Sequence, residues 1–549
     1  MSIIISPVQT IEELILINNK AKPDYFLPLD LEPYLYCIGQ KIPYIELEKI
    51  SDNQLHLDII ENTDKYLNEL FNLRKIDAFE RELVGVCRFY LHQIFFIKKI
   101  IERILENIPV SKFTISGWRQ QTKLIYAPNN YQVSKIVECL FPNKIFKLSH
   151  IENIQSNQLL EYCFEGNHRN CDIILEGLGY NFKRFLKSAN SNKLRVGIPN
   201  WGTVNLKHWF KSNIYRYENF NLRSFNSDAK KKNYTENLNF DENDPICQLL
   251  ITHINEKSSC LQNEENKCVA VEQLLDRIKP KLVSSVHCRG VGGHFLQSSS
   301  KETISLCIPH GTVTATTSLR DQSYRRTIAE AVFTGKSDYV AQQSKLTVLA
   351  YNDLKPTAKP CESGNLIFEE NLSNPHGKSI ILYAVTHKNF YSMQFHGVET
   401  FYEFLENLRI LEKIQDNIQN KVFVKLHSAA QSSIKQLSDQ YPKIVFSQEK
   451  LSSLLNRALV TISFSSTVIE DSLYSKVPVI LFDQWKRYQH CPAELDPTRK
   501  DKAVYYINRQ ESLLDCLNTI QQSTHHNFED YTFAGNSSQN FNSLLNRLL

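Results

Sequence analysis

The chain has 549 residues, which is enough for more than one domain with its own hydrophobic core. Its composition, 42% hydrophobic and 22% charged, is that of an ordinary folded protein, and a net charge of +4 is too small to indicate a nucleic-acid partner. The 13 cysteines are scattered without a Cys-x-x-Cys pair, so neither a disulfide framework nor a zinc site is predicted, and a reducing cytoplasm fits best.

The sequence indicates no membrane-spanning segment. Its first residues lack the basic start and the long apolar core of a signal peptide. The most apolar window, Leu83–Ile101, contains Arg88, His92, Lys98 and Lys99, which makes it too polar for a spanning helix. Any membrane contact is therefore expected to be peripheral, at the inner face of the cell membrane.

The N-terminal region begins with short apolar strands that alternate with helices over residues 2–47, a pattern typical of a parallel, doubly wound sheet. Asp30 follows one of these strands and is interpreted as a helix N-cap. Residues 57–108 are predicted to form a helical block, whose apolar stripe we interpret as core packing. The polar stretch 223–244, rich in Lys and Asn, is predicted to be a mobile surface insertion.

Strands that end in glycine-containing loops follow in the same domain. Cys171–Leu175 precedes Glu176-Gly177, and Thr303–Ile308 precedes Pro309-His310-Gly311-Thr312. Open α/β sheets place their ligands at such strand ends. Residues 1–351 are thus predicted to form a first Rossmann-like domain.

A second α/β domain is predicted over residues 378–549, after a linker at 352–377 that is rich in Pro, Gly, Ser and Asn. Three of its strands end in polar residues: Thr386-His387, His427-Ser428 and the run Ser463–Thr467. The carboxyl ends of parallel strands share one edge of a sheet, so we expect these groups to line one cleft.

The types of side chain in this cleft suit a phosphate. Imidazole, hydroxyl and backbone N–H groups all donate hydrogen bonds to phosphate oxygens and stabilise the charge that develops on a phosphate leaving group. Ser465 or Thr467 could also serve simply as a helix N-cap, and any one histidine could be structural. His310, which would face the cleft from the first domain, could accept a proton from an acceptor hydroxyl.

At these motifs the chain resembles the two-domain GT-B glycosyltransferases of bacterial surface-polysaccharide synthesis. The resemblance is good over residues 270–490, whereas over 1–220 only the general pattern is similar. The pair Val424-Lys425-Leu426-His427 and Ser463–Thr467 is similar to the motifs with which sialyltransferases and Kdo transferases hold the phosphate of a CMP-sugar. The same features look like those of the CDP-glycerol glycerophosphotransferases of teichoic acid synthesis, which also carry a His-Gly at a place like His310-Gly311. Ser428 stands where the sialyltransferase motif has proline.

The resemblance implies roles for individual residues. His427, with the hydroxyl run Ser463, Ser465, Ser466 and Thr467, would hold the donor phosphate. Thr386 and His387 would assist. Either His310 or Glu176 would be the catalytic base, with Gly311 and Thr312 near the cleft. Glu470 would bind the ribose of the nucleotide, unless it is only a favourable first-turn carboxylate.

The predicted fold is α/β of the GT-B type, with two Rossmann-like domains facing a cleft and a helical block inserted in the first. The predicted activity is an inverting, metal-independent transfer of a sugar, from a CMP-linked acidic sugar, to a polysaccharide or lipopolysaccharide acceptor of the capsule type. The partners would be a nucleotide-sugar donor and a glycan or lipid-linked glycan, with no cofactor, no metal and no nucleic acid. No oligomeric state is predicted.

Two alternatives remain open at this point. One is glycerol phosphate transfer from CDP-glycerol, which breaks a phosphate bond instead of a glycosidic bond. The other is a catalytically inactive GT-B scaffold in a polysaccharide assembly complex, with the helical block as its docking surface.

Overall fold

The computed structural model describes residues 3–549 except 72–77, 121–131, 149–150, 154–157, 166–170, 178–182, 201–216, 237, 242, 301, 310–335, 369, 371–377, 388–398 and 535–536. Its described part contains α/β sheets of four, eight and six strands, together with a two-stranded pairing.

The first sheet has four parallel strands in the order β2-β1-β3-β5. These are β1 (Ile3–Val8), β2 (Tyr25–Pro28), β3 (Val110–Ile115) and β5 (Ile145–Lys147). Helix α1 (Ile11–Lys20) begins with a capping box at Thr10. Helix α2 (Leu31–Gln40) begins at Asp30, whose side chain accepts a hydrogen bond from the Leu31 N–H, so the interpretation of Asp30 as an N-cap is confirmed. After α2, Tyr44 forms a single parallel bridge with Phe26.

A block of long helices lies beside this sheet and confirms the prediction of a helical segment. The helices are α3 (Asn53–Leu70), α4 (Ala78–Asn107), α5 (Gln132–Leu140) and, from later in the chain, α7 (Pro245–Ile278). The apolar stripe of α4 is buried in the main hydrophobic core, so its interpretation as core packing is also confirmed. The short strands β4 (Trp118–Gln120) and β6 (Ile151–Asn153) pair with each other.

The second sheet has eight strands in the order β14-β13-β12-β11-β8-β9-β10-β7, parallel except for the antiparallel pair of β10 and β7. The strands are β7 (Leu160–Glu165), β8 (Ile173–Leu175), β9 (Val196–Asn200), β10 (Tyr217–Asn226), β11 (Leu282–Ser285), β12 (Ile304–Cys307), β13 (Tyr339–Gln342) and β14 (Lys359–Glu362). Its helices include α6 (Lys183–Ser191), α8 (Gly290–Gln297) and α9 (Lys345–Leu354).

The third sheet has six parallel strands in the order β17-β16-β15-β18-β19-β20. The strands are β15 (Ile380–Ala384), β16 (Lys421–Lys425), β17 (Val445–Phe446), β18 (Ala458–Ser463), β19 (Val479–Phe482) and β20 (Val504–Ile507). The helices are α10 (Phe401–Ile414), α11 (Ile434–Gln440), α12 (Leu451–Leu455), α13 (Val468–Tyr474), α14 (Gln510–Gln522) and α15 (Ser537–Leu548). This is the Rossmann order 3-2-1-4-5-6.

The second and third sheets are thus a pair of Rossmann-like sheets, and the predicted GT-B class is confirmed. The domain limits differ from those expected. The region 1–351 contains two separate sheets, and β14 lies inside the predicted linker at 352–377. Helix α15 returns to the second sheet, where the Phe541 and Phe185 rings are 4.9 Å apart.

The insertion predicted to be mobile at 223–244 is mostly exposed but makes a few contacts with its surroundings, and its mobility stays a prediction. Its first residues, Arg223–Asn226, continue β10. The Tyr234 hydroxyl donates to Glu265 Oε2 on α7 at 3.1 Å, while Tyr234, Leu238 and Phe240 pack against the main core.

Within the described residues, no helix is long and apolar enough to cross a membrane.

Candidate active site

The six-stranded sheet brings the predicted donor-binding groups to one edge. Strand β15 lies between β16 and β18, and all three run parallel. His427 therefore follows the strand on one side of β15, and the hydroxyl run Ser463–Thr467 follows the strand on the other. The strand order reverses between β15 and β18, which is where open α/β sheets bind their ligands. The three strand ends thus share one edge of the sheet, and whether their side chains line one cleft stays a prediction.

The hydroxyls of the loop Ser463–Thr467, here called the hydroxyl loop, have different local roles. The Ser463 hydroxyl donates to the Ala384 carbonyl at 3.0 Å and ties the loop to the end of β15. Ser466 Oγ accepts a hydrogen bond from the Val468 N–H at 3.2 Å. Thr467 occupies the N-cap position of α13 but makes no side-chain capping bond. Of the two residues considered as a simple N-cap, Thr467 holds the N-cap position without a capping bond, and the hydroxyl that accepts from the first turn belongs to Ser466.

Phe464, in the middle of the hydroxyl loop, points away from solvent and is 3% exposed. The Arg487 guanidinium lies 4.6 Å from the centre of its ring, and the Tyr488 ring lies 5.5 Å away. Arg487 is itself fully buried and makes two 2.7 Å hydrogen bonds to the Glu403 carboxylate. This charge-assisted pair fixes the guanidinium against Phe464.

Thr386 and His387 lie at the predicted edge, but their side chains are used internally. The Thr386 N–H and hydroxyl donate to Glu399 Oε2 at 2.9 and 3.1 Å. The His387 ring is fully buried and nearly parallel to Phe404, with centroids 6.1 Å apart. These two residues therefore hold the end of β15 in place more than they line a cleft.

Sequence reasoning missed Glu399, the acid that organises this strand end. Besides Thr386, it accepts hydrogen bonds from the Tyr383 hydroxyl and from Asn407 Nδ2, the latter at 3.0 Å. Burial raises the pKa of the Glu399 carboxyl above its ordinary value, and the donated hydrogen bonds oppose that shift. Its sequence position, just before the N-cap Thr400 of α10, does not distinguish it from a capping residue.

Glu470 is placed at the contact between the two Rossmann-like domains. Its carboxyl is buried, and Oε1 accepts a hydrogen bond from Ser344 Oγ, after β13, at 3.2 Å. Burial raises the pKa of Glu470 well above its ordinary value. The ribose-binding role remains a prediction.

The end of β12 also lies against the donor domain. Gln343 Nε2 donates to the Pro309 carbonyl at 3.0 Å, and the Tyr474 hydroxyl of α13 donates to the Gln343 carbonyl at 2.6 Å. Gln343 therefore bridges the two domains at the residue that precedes His310. His310, Gly311 and Thr312 lie outside the described residues, so their placement stays a prediction.

Glu176 lies where the strand order of the second sheet reverses, between β8 and β11. Ser285 Oγ, at the end of β11, donates to Glu176 Oε2 at 2.6 Å. The following Gly177 has a φ of +89°, and a Cβ there would come within 2.7 Å of Val286 Cγ2, so only glycine fits. The carboxylate is thus oriented at the position expected for a ligand-contacting group, and Ser285 is a partner that sequence reasoning missed.

The glycine-rich turn after β11 packs tightly around His287. A Cβ on Gly292 would come within 2.5 Å of His287 Cε1, and His287 Nδ1 lies 3.1 Å from the Arg289 carbonyl. Burial lowers the pKa of His287 to about 4, so its ring is neutral at pH 7. A neutral His287 ring with its proton on Nδ1 donates a hydrogen bond to the Arg289 carbonyl.

Among the described residues, no group of three or more His, Cys, Asp or Glu side chains is placed to hold a metal ion. The predicted metal independence is therefore a matter for experiment.

Comparison with known families gives one match. Residues 353–544, which include the β15, β16 and β18 strand ends, match the family CDP-glycerol:poly(glycerophosphate) glycerophosphotransferase. The match supports the prediction that the chain is a transferase enzyme. No curated protein sequence matches the chain.

Several solved structures are similar to this one. UDP-GlcNAc 2-epimerase from Methanocaldococcus jannaschii is 12% identical over 68% of this chain and 98% of its own, with a TM-score of 0.39. The S. aureus MnaA–UDP complex is 10% identical over 69% and 96%, with a TM-score of 0.40. The wall teichoic acid polymerase TagF is 13% identical over 69% and 89%, with a TM-score of 0.38.

Proposed function

We propose that this protein transfers glycerol phosphate from CDP-glycerol to a growing surface polymer. The observation that carries the proposal is the family match over residues 353–544, which takes in every donor-binding residue named on the third sheet. This match favours the CDP-glycerol alternative over a CMP-linked acidic sugar. Both donors present a cytidine nucleotide phosphate, so the hydroxyl loop and His427 serve the same purpose in either case.

In the proposed reaction, a hydroxyl oxygen of the acceptor attacks the β-phosphorus of CDP-glycerol. A new P–O bond forms, the bond from that phosphorus to the oxygen bridging the two phosphates breaks, and CMP leaves with that electron pair. The hydroxyl proton passes to the base. The product is a phosphodiester that extends the polymer by one glycerol phosphate unit.

The donor side of the site would stabilise the leaving CMP. His427 after β16, together with Ser465 and Ser466 after β18, is proposed to donate to its phosphate as negative charge develops there. Ser463 would act only through its bond to the Ala384 carbonyl, which sets the position of the loop. Thr386 and His387 would act through the strand end that Glu399 organises.

The acceptor side would supply the base. Glu176, oriented by the Ser285 hydroxyl, and His310, which follows the Pro309 held by Gln343, remain the two candidates. The proposed mechanism uses no metal and no cofactor, and we expect EDTA to leave the turnover of metal-free enzyme unchanged. The proposed acceptor is a glycan or lipid-linked polymer at the inner face of the membrane.

Product analysis tests the proposal. The enzyme is incubated with CDP-glycerol carrying ³²P at the β-phosphorus and ¹⁴C in the glycerol, with a short glycerol phosphate oligomer as acceptor. We expect both labels to enter the oligomer in equal amounts, with one CMP released per transfer. His525→Ala, at an exposed position, is the matched control for His427→Ala, which should abolish most of the transfer.

Other outcomes would overturn the proposal. Turnover of a CMP-linked acidic sugar, with no phosphorus in the product, would restore the glycosyltransferase prediction. Binding of CMP without any transfer would support the scaffold alternative.

A further inference from the structure

Helix α3 of the helical block contacts the donor-binding domain directly, although more than 300 residues separate them in sequence. The Tyr402 hydroxyl at the start of α10 lies 3.0 Å from His56 Nε2, and Asn53 Nδ2 donates to the Lys486 carbonyl at 3.4 Å. In sequence, this helix belongs to residues 1–351, which were predicted to form the first Rossmann-like domain. Its contacts place it against the donor side.

The contact extends to the hydroxyl loop itself. Ile60 of α3 is 1% exposed and forms a small buried cluster with Phe464 and Tyr488, with Leu57 at its margin. On its other side, Phe464 is covered by the Arg487 guanidinium. Phe464, which lies between Ser463 and Ser465, is therefore packed on two sides. One side is covered by Arg487, and the other by a cluster that includes Ile60 from the N-terminal part of the chain.

We propose that α3 positions the donor phosphate site. In this proposal, the packing of Ile60 in the Phe464 cluster fixes the positions of the Ser463 and Ser465 hydroxyls on either side of Phe464. This rests on the proposed function for the identity of the donor. Ile60 touches no substrate in this account; it is a positioning residue that acts through Phe464. A packed core transmits small displacements, and a shift of about 1 Å in a positioning group can cost on the order of a hundredfold in rate.

Further contacts show that the first sheet is attached to the donor domain along the same side. Ser432 Oγ, in the turn after His427, donates to Glu32 Oε1 of α2 at 2.7 Å. Arg409 of α10 lies 3.3 Å from Glu48 Oε1, and the Phe401 and Tyr34 rings are 5.4 Å apart. The turns after both β16 and β18 are thus backed by residues 30–60.

Two adjacent isoleucines of α3 provide a matched test. Ile60 belongs to the buried cluster of Phe464 and Tyr488, whereas Ile59, equally buried, belongs to the main core. Ile60→Ala and Ile59→Ala remove the same atoms, so a purely structural role predicts similar effects for both. Ile60→Val is the conservative variant, and it should restore most of the wild-type behaviour.

Hydrogen exchange of the segment Ser463–Tyr474 needs no ligand and is measured first. We expect exchange there to be faster in Ile60→Ala than in Ile59→Ala, while exchange in α4 changes equally in both. Titration calorimetry with CMP follows, well below the melting temperature of each variant. We expect the Kd for CMP to rise by about tenfold in Ile60→Ala and by less than twofold in Ile59→Ala.

The outcomes separate this inference from the proposed function. If exchange of the segment is unchanged in Ile60→Ala, or changes equally in both alanine variants, the inference is wrong. Wild-type affinity for CMP in Ile60→Ala would also overturn it. Failure of the wild-type protein to bind CMP would count against the proposed function, while the exchange comparison would still decide whether α3 holds the loop.

Discussion

The first and third sheets differ in what occupies the point where their strand order reverses. In the first sheet this point lies between β1 and β3, and the Glu13 carboxylate fills it. Glu13 Oε2 accepts from the N–H groups of Gln9 and Thr10 at 2.8 and 3.2 Å, and Oε1 accepts from Ser116 Oγ at 3.2 Å. In the third sheet this point lies between β15 and β18: the hydroxyl loop after β18 contains no acid, while Glu399 accepts hydrogen bonds from Thr386 at the end of β15.

In this account, strand order predicts where a ligand can bind, and the side chains that follow the strands decide whether it does. The Glu13 carboxyl already accepts hydrogen bonds from two N–H groups, so these donors are not available to a phosphate. In the third sheet, Glu470 is the nearest acid after the loop, and its carboxyl bonds to Ser344 at the domain contact. The first sheet is therefore a structural unit in this account, and the third is the donor site.

The largest expected effect on activity comes from replacing His427, at the proposed donor-binding edge of the third sheet. His427→Ala removes a proposed donor to the leaving phosphate, so kcat/KM for the nucleotide donor should fall by about 10² to 10³. We expect a raised KM and a lowered kcat in steady-state kinetics, with His525→Ala unchanged. Unaltered kinetics in His427→Ala would remove this residue from the site.

A smaller effect distinguishes hydroxyls within the loop. Ser465→Ala should lower kcat/KM by about tenfold, since it removes the bond that we propose between this hydroxyl and the donor phosphate. Ser463→Ala should mainly lower the free energy of unfolding, by about 1 kcal/mol, because it removes the bond to the Ala384 carbonyl. Paired kinetics and melting curves check this, and a reversed pattern would exchange the two roles.

The smallest effect on activity is expected in the first sheet. Burial raises the pKa of Glu13 to about 7, so between about pH 4.5 and 7 the folded state keeps a proton that the unfolded state releases. The stability that Glu13 contributes is thus fully present below pH 4.5 and is lost as the pH rises through 7, by about 3 kcal/mol in all.

Glu13→Gln should remove this pH dependence and leave the kinetics unchanged. The difference in melting temperature, variant minus wild type, is expected to become more positive from pH 4 to pH 8. A constant difference across that range would show that Glu13 is not protonated in the folded protein. A fall in kcat would show that the first sheet takes part in the reaction.

The local patterns of the sequence predicted correctly which strands end at one edge of the third sheet. Short β-branched strands followed by polar residues mark β15, β16 and β18, and parallel pairing then brings their ends together. The same patterns also predicted the buried stripe of α4 and the N-cap at Asp30, since these depend on residues close in the chain.

Other features depend on contacts between distant residues, so no local pattern could indicate them. Glu399 looks like part of a helix start, and only the fold shows that it holds Thr386. Phe464 looks like an ordinary apolar residue until Ile60 and Arg487 are seen against it. The division of 1–351 into two sheets and the return of α15 to the second sheet are likewise decided by tertiary packing.

The most direct test of the account is a melting-temperature panel with CMP, CDP, UMP, UDP, GDP and ADP, on wild type and on Ser465→Ala. A ligand that binds the native state raises its melting temperature by mass action. The account predicts that cytidine nucleotides stabilise the wild-type protein and that Ser465→Ala loses most of this shift. Stabilisation by UDP or GDP alone, or an equal shift in both proteins, would contradict the assignment of the hydroxyl loop as the cytidine nucleotide phosphate site.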